Sequence, residues 1–166
     1  MDFAPYSAYF ESLAKRLVDI GHTNARPKFC RFNIEEVIDG LATDLDTTTP
    51  VLLLESFEGR FFDNGSDQAF DEQAGAFLIM QQAGASDFAA QNAIIDRAKR
   101  IGRKMIARLR KDSRRQVPGA LSQFDLSKVE YQKVGPVFDN CYGYRFTFSW
   151  EEPTALVVDE ADWLPA

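Results

Sequence analysis

The alternation of apolar and polar positions is most regular between 86 and 115, where it predicts one long amphipathic helix. Ile94, Ala98, Ile101, Met105 and Leu109 recur at the spacing of a single helical face, with Ile95 and Ile106 on its flank. Ser86 and Asp87 offer side-chain oxygens to the free N–H groups of the first turn, and Pro118-Gly119 ends the run. A shorter helix is predicted over 5–20. Phe10, Leu13, Leu17 and Ile20 share a face there, Tyr6 and Tyr9 stand near its start, and Gly21 supplies a C-terminal stop. Asn33, followed three residues later by Glu36, predicts a capping-box start to a short helix over 34–41.

Strands are predicted where the period changes. Val51-Leu52-Leu53-Leu54 is a continuous apolar run, as expected of a strand buried on both faces near the centre of a sheet. A short edge strand is predicted over 28–32. Residues 56–60 read as a connection, 61–63 as a short strand, and Asn64-Gly65 as a turn. The stretch 68–82 is polar at Asp71, Glu72 and Gln73 and apolar from Phe77 to Met80. It predicts a strand long enough to project beyond the sheet or to bulge near Gly75. A further strand over 127–134 is expected to break at Gly135-Pro136, with a turn at Asp139-Asn140. Tyr142, Tyr144, Phe146, Phe148 and Trp150 then alternate with Gly143, Arg145, Thr147 and Ser149, the cleanest period of two in the chain. An aromatic ladder can bind bases or sugars, but here it reads as core, most simply covered by the long helix.

These elements give an α+β fold: a mainly antiparallel sheet with one long amphipathic helix packed across it and a shorter N-terminal helix. At 166 residues, 45% hydrophobic with fourteen Phe, the chain is the size of a single domain with an ample core. That domain is assigned to 1–150. The remainder, 151–166, reads as an acidic C-terminal arm in which Glu151, Glu152, Asp159, Glu160 and Asp162 surround Val157, Val158, Trp163 and Leu164.

Charge is the most informative departure from an ordinary domain. Ten of the nineteen Lys and Arg residues lie between Arg97 and Arg115 against one acid, Asp112. That segment therefore carries +9 and the rest of the chain −15, within a net −6. A net acidic chain is not built to coat DNA. A positive helix in a negative chain suggests internal balancing, head-to-tail packing of one copy's basic face on another's acidic face, or simply a solvated helix face.

Candidate chemistry is sparse. Cys30 and Cys141 are isolated and read as reduced thiols of a cytoplasmic protein, and no Cys/His cluster has zinc-ligand spacing. His22, beside a predicted helix end, reads as a capping or solvated residue without a catalytic role. The loop 83–86 holds a single glycine and is no phosphate-binding fingerprint. No nucleophile–base pair stands out, so no catalytic residue, metal or cofactor is assigned. No apolar run reaches the length of a membrane span, and no basic-then-apolar leader is read at the N-terminus.

The order helix, short helix, buried strand, strand–turn–long strand, long helix, strand hairpin resembles the tail-terminator and tail-completion proteins of tailed bacteriophages. The stretches that carry the likeness are 50–55, 68–82 and 134–150, the last reading Val-Gly-Pro-Val-Phe-Asp-Asn-Cys-Tyr-Gly-Tyr-Arg-Phe-Thr-Phe-Ser-Trp. The resemblance implies a small α+β protein without enzymatic activity. It would form a ring, as a homo-hexamer, on the tail tube of a phage or tail-like contractile particle. Its partners would be itself, the tube, and the head-completion or connector proteins above; DNA would pass at most transiently and no membrane would be involved. It would be made in the host cytoplasm and reside in the virion tail. Candidate interaction residues are the basic helix face (Arg100, Arg103, Lys104, Arg108, Lys111), the projecting strand (Phe70, Asp71, Glu72, Gln73) and the arm (Asp159, Glu160, Asp162, Trp163). The residues alone leave two other classes open: a small adaptor, or a nucleic-acid-binding module using the basic helix 97–115.

Overall fold

A computed structural model describes residues 1–32, 45–63, 65, 68–84, 86–137 and 140–164, apart from the side chains of Phe32 and Glu160. The short helix predicted over 34–41, with its Asn33/Glu36 box, lies outside these residues, as do Asn64 and Asp139 of the two predicted turns. The described elements run α1 (Phe3–Arg16), β1 (Phe29–Phe32), β2 (Val51–Glu55), β3 (Glu58–Asp63), β4 (Ala69–Gln82), α2 (Phe88–Arg114), β5 (Glu130–Val137) and β6 (Cys141–Thr154). The fold is α+β. Its mixed sheet has the order β1-β2-β4-β6-β5, with β3 alongside the first half of β4, and only the β1–β2 pair is parallel.

The period of two decides what each face of the sheet meets. Leu52, Leu54, Phe77, Ile79, Phe146, Phe148 and Trp150 point to one side and are buried against Tyr6, Phe10 and Leu13 of α1 and Ala98, Ile101, Met105 and Leu109 of α2. Val51, Leu53, Leu78, Met80 and Cys141 alternate with them and form a second, smaller cluster with Leu45, Val134 and Val137. The aromatic ladder is therefore covered by both helices rather than by α2 alone. α1 covers its far end, where Tyr6 stacks on Trp150 at 5.5 Å and Phe10 on Phe148 at 5.6 Å.

Four sequence expectations need correction. β4 pairs with β6 in unbroken register from Ala69 to Gln82, so there is no bulge at Gly75. A Cβ there would stand 2.5 Å from the Tyr6 hydroxyl, so the glycine makes room for α1. β3 begins at Glu58, within the stretch read as a connection, because the first half of β4 offers a free edge that β2 does not reach. Gly135-Pro136 does not end β5; the strand absorbs it as a register shift between Val134 and Val137, with Gly135 at φ +119°. α1 stops at Arg16, four residues before the expected end, and residues 17–21 form a turn closed by the Gly21 N–H on Leu17 O at 2.8 Å.

α2 is held by burial. Ile101, Met105 and Leu109 are each at most 2% exposed, and burying side chains of this size contributes about 2 kcal/mol apiece. Asp87 caps its start, accepting the Ala90 N–H at 2.8 Å. Its end is a Schellman turn: Gln116 takes the left-handed conformation (φ +50°), with Gln116 N–H on Ser113 O and Val117 N–H on Asp112 O. At mid-helix, Gly102 lies directly over the Phe146 ring. This close seat turns the opposite side of α2 fully outward.

Candidate functional site

The long helix separates its two faces cleanly. Arg100, Arg103, Ala107, Arg110 and Arg114 recur at three- and four-residue steps on the side away from the core, with Lys111 and Arg115 beside them, and all are exposed. Among the described residues the side chains of Arg100, Arg103, Arg110, Lys111, Arg114 and Arg115 make no hydrogen bond or ion pair. The other cations of the helix are occupied. Lys104 Nζ donates to Asp19 at 2.6 Å, Arg108 Nε to Asp112 at 2.7 Å, and Arg97 to Gln81 at 3.2 Å. Lys99 sits over the Tyr131 ring at 4.6 Å. Of the helix residues singled out from sequence, Arg100, Arg103 and Lys111 are thus free, whereas Lys104 and Arg108 are already paired.

Asp112 shows why one acid stands in this segment. It is 1% exposed and accepts from both Arg108 and the Tyr9 hydroxyl, the latter at 3.0 Å, so it ties α2 to α1. Burial and then the neighbouring carboxylate push the Tyr9 hydroxyl well above the ordinary range, which keeps it a donor.

Ala107, Arg110, Lys111, Arg114 and Arg115 line a groove of about 320 Å³ near the end of α2. The pairs 110/114 and 111/115 are like charges at four-residue spacing, each costing about 0.2–0.5 kcal/mol. Core burial of α2 easily outweighs that cost, so the helix tolerates the arrangement without needing it for folding. Arg110, Arg114 and Arg115 were missing from the sequence shortlist. A helical wheel centred opposite Ile101, Met105 and Leu109 selects Arg110 and Arg114 over Lys104 and Arg108, while Arg115 lies just past the helix end.

The strand residues behave differently. β4 does extend beyond β2, but its first half is flanked by β3 and β6 and is interior to the sheet. Gln73 is 2% exposed and hydrogen-bonds Asp71. Glu72 holds Arg60 at 2.6 Å and Lys128 at 2.5 Å, and these hydrogen bonds, Lys128's the larger, lower its carboxyl pKa. Phe70 stacks on Phe62 at 5.5 Å. The exposed aromatic at this end is instead Phe61 of β3, beside a groove of about 740 Å³ lined also by Pro153, Leu156 and Val157.

The arm starts inside the sheet, since β6 continues through Glu151 and Glu152 to Thr154. Glu151 pairs with Lys128 at 3.1 Å and Glu152 with the N-terminal ammonium. Beyond Thr154 the described side chains are exposed. Leu156, Val157, Val158, Trp163 and Leu164 are 63–94% exposed. Asp159 accepts the N–H of Ala161 at 2.9 Å and opens a 3₁₀ turn (Glu160–Asp162). Asp159 and Asp162 contact no cation among the described residues.

Compared with known proteins, the chain matches no family model and no curated protein.

Elsewhere the polar groups are structural. His22, expected to cap a helix or meet solvent, is buried at 9% exposure and accepts the Lys28 N–H on Nδ1 at 3.1 Å; burial lowers its pKa. Lys28 is itself buried and donates to the Asp46 carbonyl (2.6 Å) and carboxylate (2.7 Å) and to Thr49. Lys28's hydrogen bond, helped by Thr48, draws the Asp46 carboxyl down to about 2. Arg145 grips Glu55 with two bonds of 2.6 Å on the face opposite the helices. Among the described residues neither cysteine is in a disulfide, and burial pushes the Cys30 thiol up to about 11. Among the described residues no three His, Cys, Asp or Glu side chains converge as a metal set, and no helix is long and apolar enough to cross a membrane.

Proposed function

We propose that this chain is a non-enzymatic structural component that caps the tail tube of a phage or tail-like particle as a ring and joins it to neighbouring proteins. The observation that carries the reading is a pair of unsatisfied, oppositely charged surfaces at different places on one chain. Among the described residues, five cations on the outer face of α2 and Arg115 just past its end lack partners, and the arm beyond Thr154 exposes acids and five large apolar side chains. A ring needs such a heterologous pair, because each copy must offer one surface forward and another back. Exposed apolar clusters on a small domain mark a surface that something covers. The α+β sheet with one long helix across it is also the architecture that the likeness to tail-terminator proteins implies. The partners on this reading are other copies, the tail tube and head-completion or connector proteins. Net −6 suits a conduit that DNA traverses without being held.

The test is native mass across protein concentration at low and high salt, with negative-stain images and co-sedimentation with tail tubes. A closed ring that loosens with salt, or a salt-sensitive cap on tubes, is expected. A protein that neither self-associates nor binds tubes overturns the proposal. The free cations of α2 favour one second reading, a nucleic-acid-binding module. It requires salt-steep DNA retention that Arg103→Glu weakens while self-association stays unchanged.

A further inference from the structure

We infer that the occupant of the groove at the end of α2 is the C-terminal arm of a second copy of this chain. Asp159 and Asp162 would lie against Arg110, Lys111, Arg114 and Arg115, with Trp163 laid on a guanidinium. The inference rests on the ring reading and names the contact that would hold one copy to the next.

Spacing carries it beyond charge alone. Asp162 N–H donates to Asp159 O at 3.0 Å, so the two acids bracket one 3₁₀ turn. At about 2.0 Å rise per residue the two positions stand about 6 Å apart along the turn, and the Asp159 carboxylate also accepts the Ala161 N–H. Arg110 and Arg114 are four residues apart on α2, which at about 1.5 Å per residue is also about 6 Å. The groove floor is Ala107, small enough to let another backbone approach. Trp163 is 67% exposed directly after the acids, placed to stack on an arginine plane. The arm has reach as well, since the five residues from Ala155 to Asp159 extend up to about 17 Å ahead of the turn. Within one chain the two surfaces do not pair, because neither acid contacts a cation among the described residues. A short peptide with two evenly spaced carboxylates fits four cations gathered in two turns better than a nucleic-acid backbone does, because a backbone would engage Arg100 and Arg103 equally.

The experiment is a charge swap in the full-length protein. One variant carries Arg110→Glu and Arg114→Glu, the other Asp159→Lys and Asp162→Lys. All four side chains are exposed, and unchanged urea midpoints check folding. Native mass is read for each variant alone and for an equal mixture with one variant isotope-labelled. Each variant alone is expected to associate about tenfold or more weakly than wild type, because like charges then meet at the contact. The mixture is expected to recover the wild-type mass with the variants alternating, since each arm now meets a complementary groove. Wild-type association untouched by either variant overturns the docking and leaves the ring reading standing. A mixture no better than its components also overturns it, and shows an arm acting on its own helix or cations serving another partner. DNA retention lost with the arginines, while association stays at the wild-type level, overturns it in favour of the nucleic-acid reading. A wild-type chain that is monomeric at every concentration overturns docking between free copies, and tube binding then decides the ring reading separately.

Discussion

Replacing Gly102 by alanine should destabilise this protein, although the same change at an ordinary helix position stabilises. At an interior helical site alanine is favoured over glycine by about 1 kcal/mol. Here the added methyl would stand 1.9 Å from Phe146 Cζ and 2.1 Å from Cε2, against about 3.5–4 Å for carbon atoms in contact. Something must therefore move by about 1.5–2 Å. The ring has little freedom. It stacks on Phe77 at 5.1 Å and meets Tyr131 at 5.9 Å and Tyr144 at 6.2 Å. The helix must lift instead, loosening Ala98, Ile101 and Met105, which sit on the same face. Overpacking of this kind costs about 1–3 kcal/mol. Lifting three buried residues belongs at the upper end, so the net effect is a loss of about 2 kcal/mol. Urea unfolding reads it as a lower midpoint at unchanged slope. For a domain of this size the thermal midpoint should fall by about 4–8 °C. Phe146→Leu vacates the clash, so the double variant should be more stable than the sum of the two single losses by about 1 kcal/mol or more. A Gly102→Ala protein as stable as wild type or more so, or an additive cycle, would refute the claim that α2 is seated on this ring.

Asp112→Ala should cost about 2–3 kcal/mol, because it strands the buried Tyr9 hydroxyl, whereas Asp112→Asn keeps an acceptor and should cost less; urea midpoints compare them. Arg145→Lys should cost about 1 kcal/mol by exchanging a two-pronged grip on Glu55 for a single contact, read by thermal unfolding. Acid should destabilise the fold in two steps, followed as the urea midpoint between pH 7 and pH 2. His22 is neutral in the fold with its pKa lowered by burial, so the unfolded chain binds the proton first: its contribution is complete above 6.5 and fades below it. The Asp46 carboxyl lies at about 2 against an ordinary 3.8, so its contribution is present above about 4 and fades towards about 2; His22→Asn should flatten the upper step alone.

The fold was legible where a residue pattern has one physical solution. Ile94, Ala98, Ile101, Met105 and Leu109 can share a surface only on a helix, and Tyr142 to Trp150 only on a strand, and both are so placed. Expectations failed where a distant partner decides the outcome. Glu58, Gly59 and Arg60 have no strand pattern of their own; they pair because β4 outruns β2 and leaves an edge open. Gly75 looked like a bulge because nothing local reveals that Tyr6 needs its space. Gly102 likewise reads as a weak point in a helix until the ring beneath it is known.

The candidate surface was half legible, for a reason that bears on its function. Sequence shows ten cations in one segment but not which of them the protein itself consumes. Asp19 takes Lys104 from a distant part of the chain, whereas Asp112 takes Arg108 at the i,i+4 spacing of one helix, a pairing the sequence does show. Subtracting them leaves cations only along the ridge opposite the core, where no fold requirement puts them. A charge that the fold neither neutralises nor needs is one that the proposed ring contact can use. On the acid side, Glu72, Glu151 and Glu152 each hold a cation within the chain, whereas among the described residues Asp159 and Asp162 hold none, Asp159 accepting only the Ala161 N–H. Among the described residues, removing each pair that the fold makes for itself leaves six cations of the basic segment, four of them at the groove, and leaves Asp159 and Asp162 on one short turn beside scattered acids such as Glu58 and Glu130. It is the groove and the turn, rather than net charge, that a binding experiment must perturb.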